Sequence, residues 1–114
     1  MEQSKVVIYI RFTTDIEQEY VDKIKEEINS FVDMIGAKVM NQYWEVIPNG
    51  YNSIKFDAIF NKCISNGWGI LTYDLKTLHK HKSGALSILE EGADVGVPIF
   101  FVDAESAFKS IFTL

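Results

Sequence analysis

Five consecutive apolar residues, Val6-Val7-Ile8-Tyr9-Ile10, lead into Arg11-Phe12-Thr13-Thr14-Asp15 near the start of the chain. The run has no polar alternation and is mostly β-branched. That pattern predicts a strand buried on both faces, which occurs in the middle of a parallel sheet. Such a strand needs crossover helices on both sides, so it limits the fold more than any other stretch. It also ends abruptly at a charged residue. In open α/β sheets, ligands collect outside the carboxyl ends of the strands, and Arg11 stands at that edge.

The rest of the chain fits this frame. Thr14-Asp15-Ile16-Glu17 has the form of a capping box. Ile16, Tyr20, Ile24, Ile28, Phe31, Val32 and Ile35 then repeat at helical spacing, with a possible Glu19–Lys23 pair on the polar side and Gly36 as the stop. Lys38 to Ile47 reads as a second strand, only partly apolar and therefore placed towards a sheet edge. A helix from Ser53 to Ser65 carries Phe56, Ile59, Phe60, Cys63 and Ile64 on one face. Trp68 to Tyr73 reads as a third strand, and Leu75 to Lys82 as a polar, basic connection. Ser83 can cap a helix with Leu86 and Leu89 inward, ending near Gly92. Val97 to Val102 reads as a fourth strand with Pro98 at its start. A final helix over 104–112 carries Ala104, Phe108, Ile111 and Phe112. The alternation predicts an α/β three-layer sandwich of flavodoxin-like type, with a mostly parallel sheet in order 2-1-3-4.

The 114 residues suit a single domain over 1–114, and 47% hydrophobic residues suffice for one core. No apolar run approaches a membrane span, and no signal-peptide pattern precedes the first strand. The lone Cys63 excludes an internal disulfide and fits a reducing cytoplasm. The net charge of −5 is unlike that of a nucleic-acid binder, which needs a basic patch. Arg11 is the only arginine.

Tyr9-x-Arg11-x-Thr13-Thr14 resembles the start of a serine recombinase (resolvase/invertase) catalytic domain. The resemblance continues in order along Val6 to Asp103. Glu45, Asn49-Gly50 and Ser53-Ile54-Lys55-Phe56 echo the loop before the family's second helix, with Ser53 where Arg is expected. Tyr73-Asp74-Leu75-Lys76-Thr77-Leu78-His79-Lys80 is similar to Leu-Asp-Arg-Leu-x-Arg, with Thr77 and Lys80 replacing the two arginines. Gly96-Val97-Pro98-Ile99 matches the later strand. The family's long dimer helix and DNA-binding domain have no counterpart in these residues.

The resemblance implies site-specific DNA recombination and integration, as in mobile elements. A hydroxyl attacks a DNA phosphate and arginines stabilise the transition state. It puts Arg11, Thr13 and Asp74 at catalytic positions, with Thr13 for the nucleophilic Ser. One arginine cannot replace a cluster, because lysines lack the bidentate fork. The expectation is therefore a catalytically impaired recombinase-family protein, acting as a binding or regulatory module. Arg11, Lys76 and Lys80 would form a residual anion site.

Each assignment has a plainer reading. Thr13 can be a turn residue beside the cap, Arg11 can pair with Asp15 or Asp74, and Asp74 can cap the turn after the third strand. The segment 76–82 can be a solvated charged face. His79 and His81 read as surface residues without metal-ligand spacing, Cys63 as core, and Trp44 and Trp68 as core or strand-face residues. No cofactor motif is present. Two rivals remain open. One is an active DNA-cleaving enzyme using Thr13. The other is a receiver-like signalling domain, which Asp15 and Asp74 fit in part, without an adjacent acid or a well-placed late lysine. Expected partners are DNA, a recombinase-family protein or a homodimer, and no membrane. With this charge, duplex DNA should bind more weakly than ~10⁻⁶ M near physiological salt. A gel-shift titration checks this, and a sequence-specific nanomolar shift would contradict it.

Overall fold

In a computed structural model that describes residues 3–112, and only the backbone of 110–112, the apolar run lies at the centre of the sheet. The elements are β1 (Lys5–Phe12), α1 (Gln18–Ile35), β2 (Lys38–Val46), α2 (Phe56–Asn66), β3 (Gly69–Thr72), α3 (Leu75–Leu78), α4 (Lys82–Val95), β4 (Ile99–Phe101) and α5 (Ala104–Phe112). The four strands form one all-parallel sheet in the order β2-β1-β3-β4. The expected topology is the observed one.

Alternation along β1 sorts the core into two layers. Val6, Ile8, Ile10 and Phe12 face α1, where Ile24 and Ile28 are fully buried. Val7 and Tyr9 face the other side, against Ile59, Phe60 and Cys63 of α2, Leu75 and Leu78 of α3 and Ala85 of α4. Arg11 has the parity of Val7 and Tyr9, so it belongs to the α2–α3–α4 side. β2 is the edge strand that its mixed composition predicts, and it pairs with β1 through a register shift between Val6 and Val7.

Several local expectations need correction. The capping box at Thr14–Glu17 does not form. The Thr13 carbonyl accepts the Ile16 N–H at 3.3 Å, making a turn, and α1 starts later with Glu17 as an N-cap that makes no side-chain bond. No Glu19–Lys23 ion pair is present.

The second helix begins at Phe56 rather than Ser53, yet Ser53 still serves its start. The Ser53 Oγ accepts the Phe56 N–H at 3.1 Å. The fourth helix starts behind His81, without a cap from Ser83, and continues past Gly92 to Gly96, whose φ of 78° closes it. Gly92 is a contact glycine instead: a Cβ there would stand 2.5 Å from the Val97 carbonyl oxygen.

The connection expected at 75–82 is in part α3, whose Leu75, Thr77 and Leu78 are buried. Of the final helix's apolar set, Ile111 and Phe112 have side chains outside the described residues, and Phe108 is exposed.

Ile8 and Ile10 are at most 1% exposed. Truncating either to Ala should cost about 2–5 kcal/mol, the transfer loss plus the cavity. Ile54, 93% exposed, should cost under about 0.5 kcal/mol as Ile54→Ala. Denaturant melts of the three variants check the contrast.

Candidate functional site

On the α2–α3–α4 side, at the carboxyl end of β1, a cavity of about 680 Å³ opens between the helices. Its floor is buried: Tyr9 and Arg11 from β1, Phe60 from α2 and Leu78 from α3. Ser53, Phe56, His79, Lys80, Gly84 and Ile88 form half-buried walls. Asn52, Asp57, Asn61, Ser87 and Glu91 form an exposed rim.

Arg11 is 8% exposed and donates from Nη1 to the Lys76 carbonyl at 2.9 Å. That bond ties the end of β1 to α3 and aims the guanidinium along the cavity floor. Neither Asp15 nor Asp74 forms an ion pair with it. Glu45, opposite Arg11 in the β1–β2 register, is also not paired with it. Its carboxylate accepts from Ser53 Oγ at 2.8 and 3.1 Å. Lys80 is half-buried and donates from Nζ to the Gly50 carbonyl at 2.9 Å, fastening the loop before α2 to the segment after α3.

Tyr9 is fully buried, and its hydroxyl makes no close hydrogen bond, with Ser53 and the Glu45 carboxylate as its polar neighbours. The ring meets Phe56 edge-on, with centroids 4.9 Å apart. Burial is the main cause that raises the phenol to about 12, and the neighbouring Glu45 adds to it. The group therefore stays a neutral O–H donor.

The remaining expected site residues lie elsewhere. Thr13 does not line the cavity, and its Oγ1 donates to Asp15 Oδ1. This bond holds the Asp15 carboxyl below its ordinary range. Asp74 is buried as the N-cap of α3. Its Oδ1 accepts the Thr77 N–H at 3.0 Å, and the Asp74 N–H donates to Thr77 Oγ1 at 2.9 Å. A further contact joins Thr72 Oγ1 and Thr77 Oγ1 at 3.0 Å. Thr77, at one of the arginine positions of the resemblance, is thus consumed by the strand-to-helix turn. Lys76 contributes its carbonyl to Arg11, while its side chain is exposed and does not line the cavity.

His79 corrects the expectation of a solvated surface histidine. It lines the cavity half-buried, and its ring occupies the space above Gly84, where a Cβ would stand 2.2 Å from the ring. Its Nδ1 accepts the His81 N–H at 3.0 Å, which leaves the other nitrogen as the N–H donor of a neutral ring. The Gly84 spacing, five residues after His79, was the available sequence signal. Tyr9 was visible only as core. Among the described residues, no group of three or more His, Cys, Asp or Glu could hold a metal ion.

With this geometry in view, solved structures give a comparison. The N-terminal catalytic domain of TP901-1 integrase superposes with a TM-score of 0.70 at 18% identity, covering 96% of this chain and 88% of that one. The C-terminal catalytic domain of ISC1926 TnpA, an IS607-like serine recombinase, gives 0.68 at 19%, covering 94% and 77%. The fold is that of serine recombinase catalytic domains. No family model matches the sequence, and no curated protein does either. The likeness is one of fold, at low sequence identity. Among the described residues, no helix is long and apolar enough to cross a membrane.

Burial lowers the His79 imidazole below its ordinary 6.5, and the nearby Arg11 and Lys80 charges act in the same direction. The unfolded chain thus binds this proton more tightly. The stability from the neutral ring is complete above about pH 6.5 and is lost as pH falls through the lowered folded value. Thermal melts should show a smaller acid-induced loss for His79→Gln than for the wild type between about pH 7.5 and about pH 5.5. Equal losses would place the pH sensitivity in other groups.

Proposed function

We propose that this chain is a serine recombinase family protein, related to site-specific DNA recombination. In this reading it is catalytically impaired and acts as a binding or regulatory module. The observation that carries the reading is the separation of the two groups that phosphoryl transfer would need together. Arg11 lies on the cavity floor, while the Thr13 hydroxyl is outside the cavity and bonded to Asp15. Phosphoryl transfer needs a nucleophile aligned with concentrated positive charge at the transferring phosphate. Here a single arginine, already donating to a backbone carbonyl, faces two rim carboxylates. The fold likeness to the integrase and the IS607-like recombinase supports the family part of this reading. The impaired part rests on the site.

In the same reading, Arg11 and Lys80 form a residual anion site, with Lys76 contributing long-range charge from outside the cavity. Its partners are a recombinase-family protein, a second copy of the chain, or DNA held weakly.

Incubation with supercoiled plasmid, followed by denaturing electrophoresis, should give neither nicks nor a protein–DNA adduct. Thr13→Ser should behave identically. An adduct from the wild type would establish the rival reading of an active enzyme. Inorganic phosphate should raise the melting temperature of the wild type but not of Arg11→Gln. Equal stabilisation of both proteins would move the anion site away from Arg11.

A further inference from the structure

The cavity combines features that a duplex-phosphate cleft does not require. Phe56 and Ile88 on its walls and Phe60 and Leu78 on its floor are aromatic or aliphatic, and its volume is within the usual range of small-molecule sites. Phe56 and Phe60 stack with centroids 5.9 Å apart, so planar surfaces line one wall. The positive group lies on the floor. The carboxylates of Asp57 and Glu91 lie on the exposed rim. A duplex approaching from outside meets the rim charges first, and its polyanionic backbone is repelled there. A compact small anion can pass below the rim to Arg11.

The second observation is the Tyr9 hydroxyl. It is buried, in a residue that lines the cavity, and makes no close hydrogen bond, with Ser53 and the Glu45 carboxylate as its polar neighbours. A buried donor without an acceptor is costly, on the order of 1–3 kcal/mol. Ser53 Oγ lies on the same wall but is already committed to Glu45. The unmet donor is therefore Tyr9, accompanied by the remaining N–H groups of Arg11 and the ring N–H of His79. All three side chains line the same cavity, beside the rings of Phe56 and Phe60.

We propose that this cavity is a binding site for a small organic anion with a planar apolar body. The anionic head accepts from Tyr9, Arg11 and His79, and the body lies against Phe56, Phe60 and Ile88. The inference rests on the Arg11 anion site of the preceding section and adds the class of ligand it takes.

Phenyl phosphate is the probe, compared with inorganic phosphate and a short duplex DNA by isothermal titration and thermal shift. Phenyl phosphate should bind at least about tenfold more tightly than inorganic phosphate, a difference the apolar body supplies. Tyr9→Phe removes only the hydroxyl. It should keep or raise the melting temperature of the ligand-free protein while weakening phenyl phosphate about tenfold. In the wild type, phenyl phosphate should shift the NMR signals of the His79 ring and the Ile88 methyls, but not those of Ile35 and Val95. This measurement needs no variant to fold. Equal affinity for phenyl phosphate and inorganic phosphate would overturn the proposal while leaving the anion site intact. Absence of binding by either would overturn both. Unchanged affinity in Tyr9→Phe, tighter binding of the duplex, or shifts confined to Ile35 and Val95 would also overturn it.

Discussion

β1 has hydrogen-bonded neighbours on both edges and helices on both faces, and every other element is placed by reference to it. From Val6 to Phe12 its side chains have no solvent side. Val6, Ile8, Ile10 and Phe12 must be matched by α1, and Val7 and Tyr9 by α2, α3 and α4. Arg11 follows the same alternation, so the first charged residue after the apolar run emerges on the side with three helices. The Nη1 bond to the Lys76 carbonyl then fixes where the guanidinium lies. A backbone acceptor holds it without neutralising it, which a carboxylate partner would have done.

The turn after β3 is the second fixed point. Asp74 and Thr77 satisfy each other's backbone N–H groups at the start of α3, and Thr72 joins them. A hydroxyl and a carboxyl used in this way hold a short helix whose carbonyl positions Arg11. The same turn therefore supports the cavity and removes one of the expected chemical groups, Asp74, from it. Where the resemblance leads one to look for a charged cluster, the chain has a buried polar turn. Its stability comes from complete hydrogen bonding.

The cavity that results is mixed in character. Its donors are few and deep, and the apolar Phe56 and Ile88 share its walls with Ser53, His79 and Lys80. The acids nearest solvent oppose any large anion. The likeness to the two recombinase structures at 18% and 19% identity is a likeness of fold. Core positions are constrained by volume and polarity on every side, whereas residues at a crevice are constrained only by what occupies it.

The sequence by itself determined the elements and their order, apart from the short helix α3. Apolar runs and helical spacings reflect burial, and burial depends on local pattern once the sheet is parallel. The central place of Val6–Ile10, the edge place of β2 and the helix end at Gly36 all follow from this. Start signals failed where two local geometries competed. Thr14–Glu17 has the composition of a capping box, but the Thr13–Ile16 turn took those residues first. Gly92 looked like a stop, but it makes room for the Val97 carbonyl.

Of the site, Arg11 and Lys80 were legible as charges at the sheet edge, and the plainer reading of Asp74 as a turn cap was also available. Only the tertiary structure decided that Thr13 turns to Asp15, that His79 settles on Gly84, and that the Tyr9 hydroxyl ends without a close hydrogen bond on a cavity floor. Those outcomes depend on which side chains from distant segments arrive at the same place, and no periodicity along the chain encodes that.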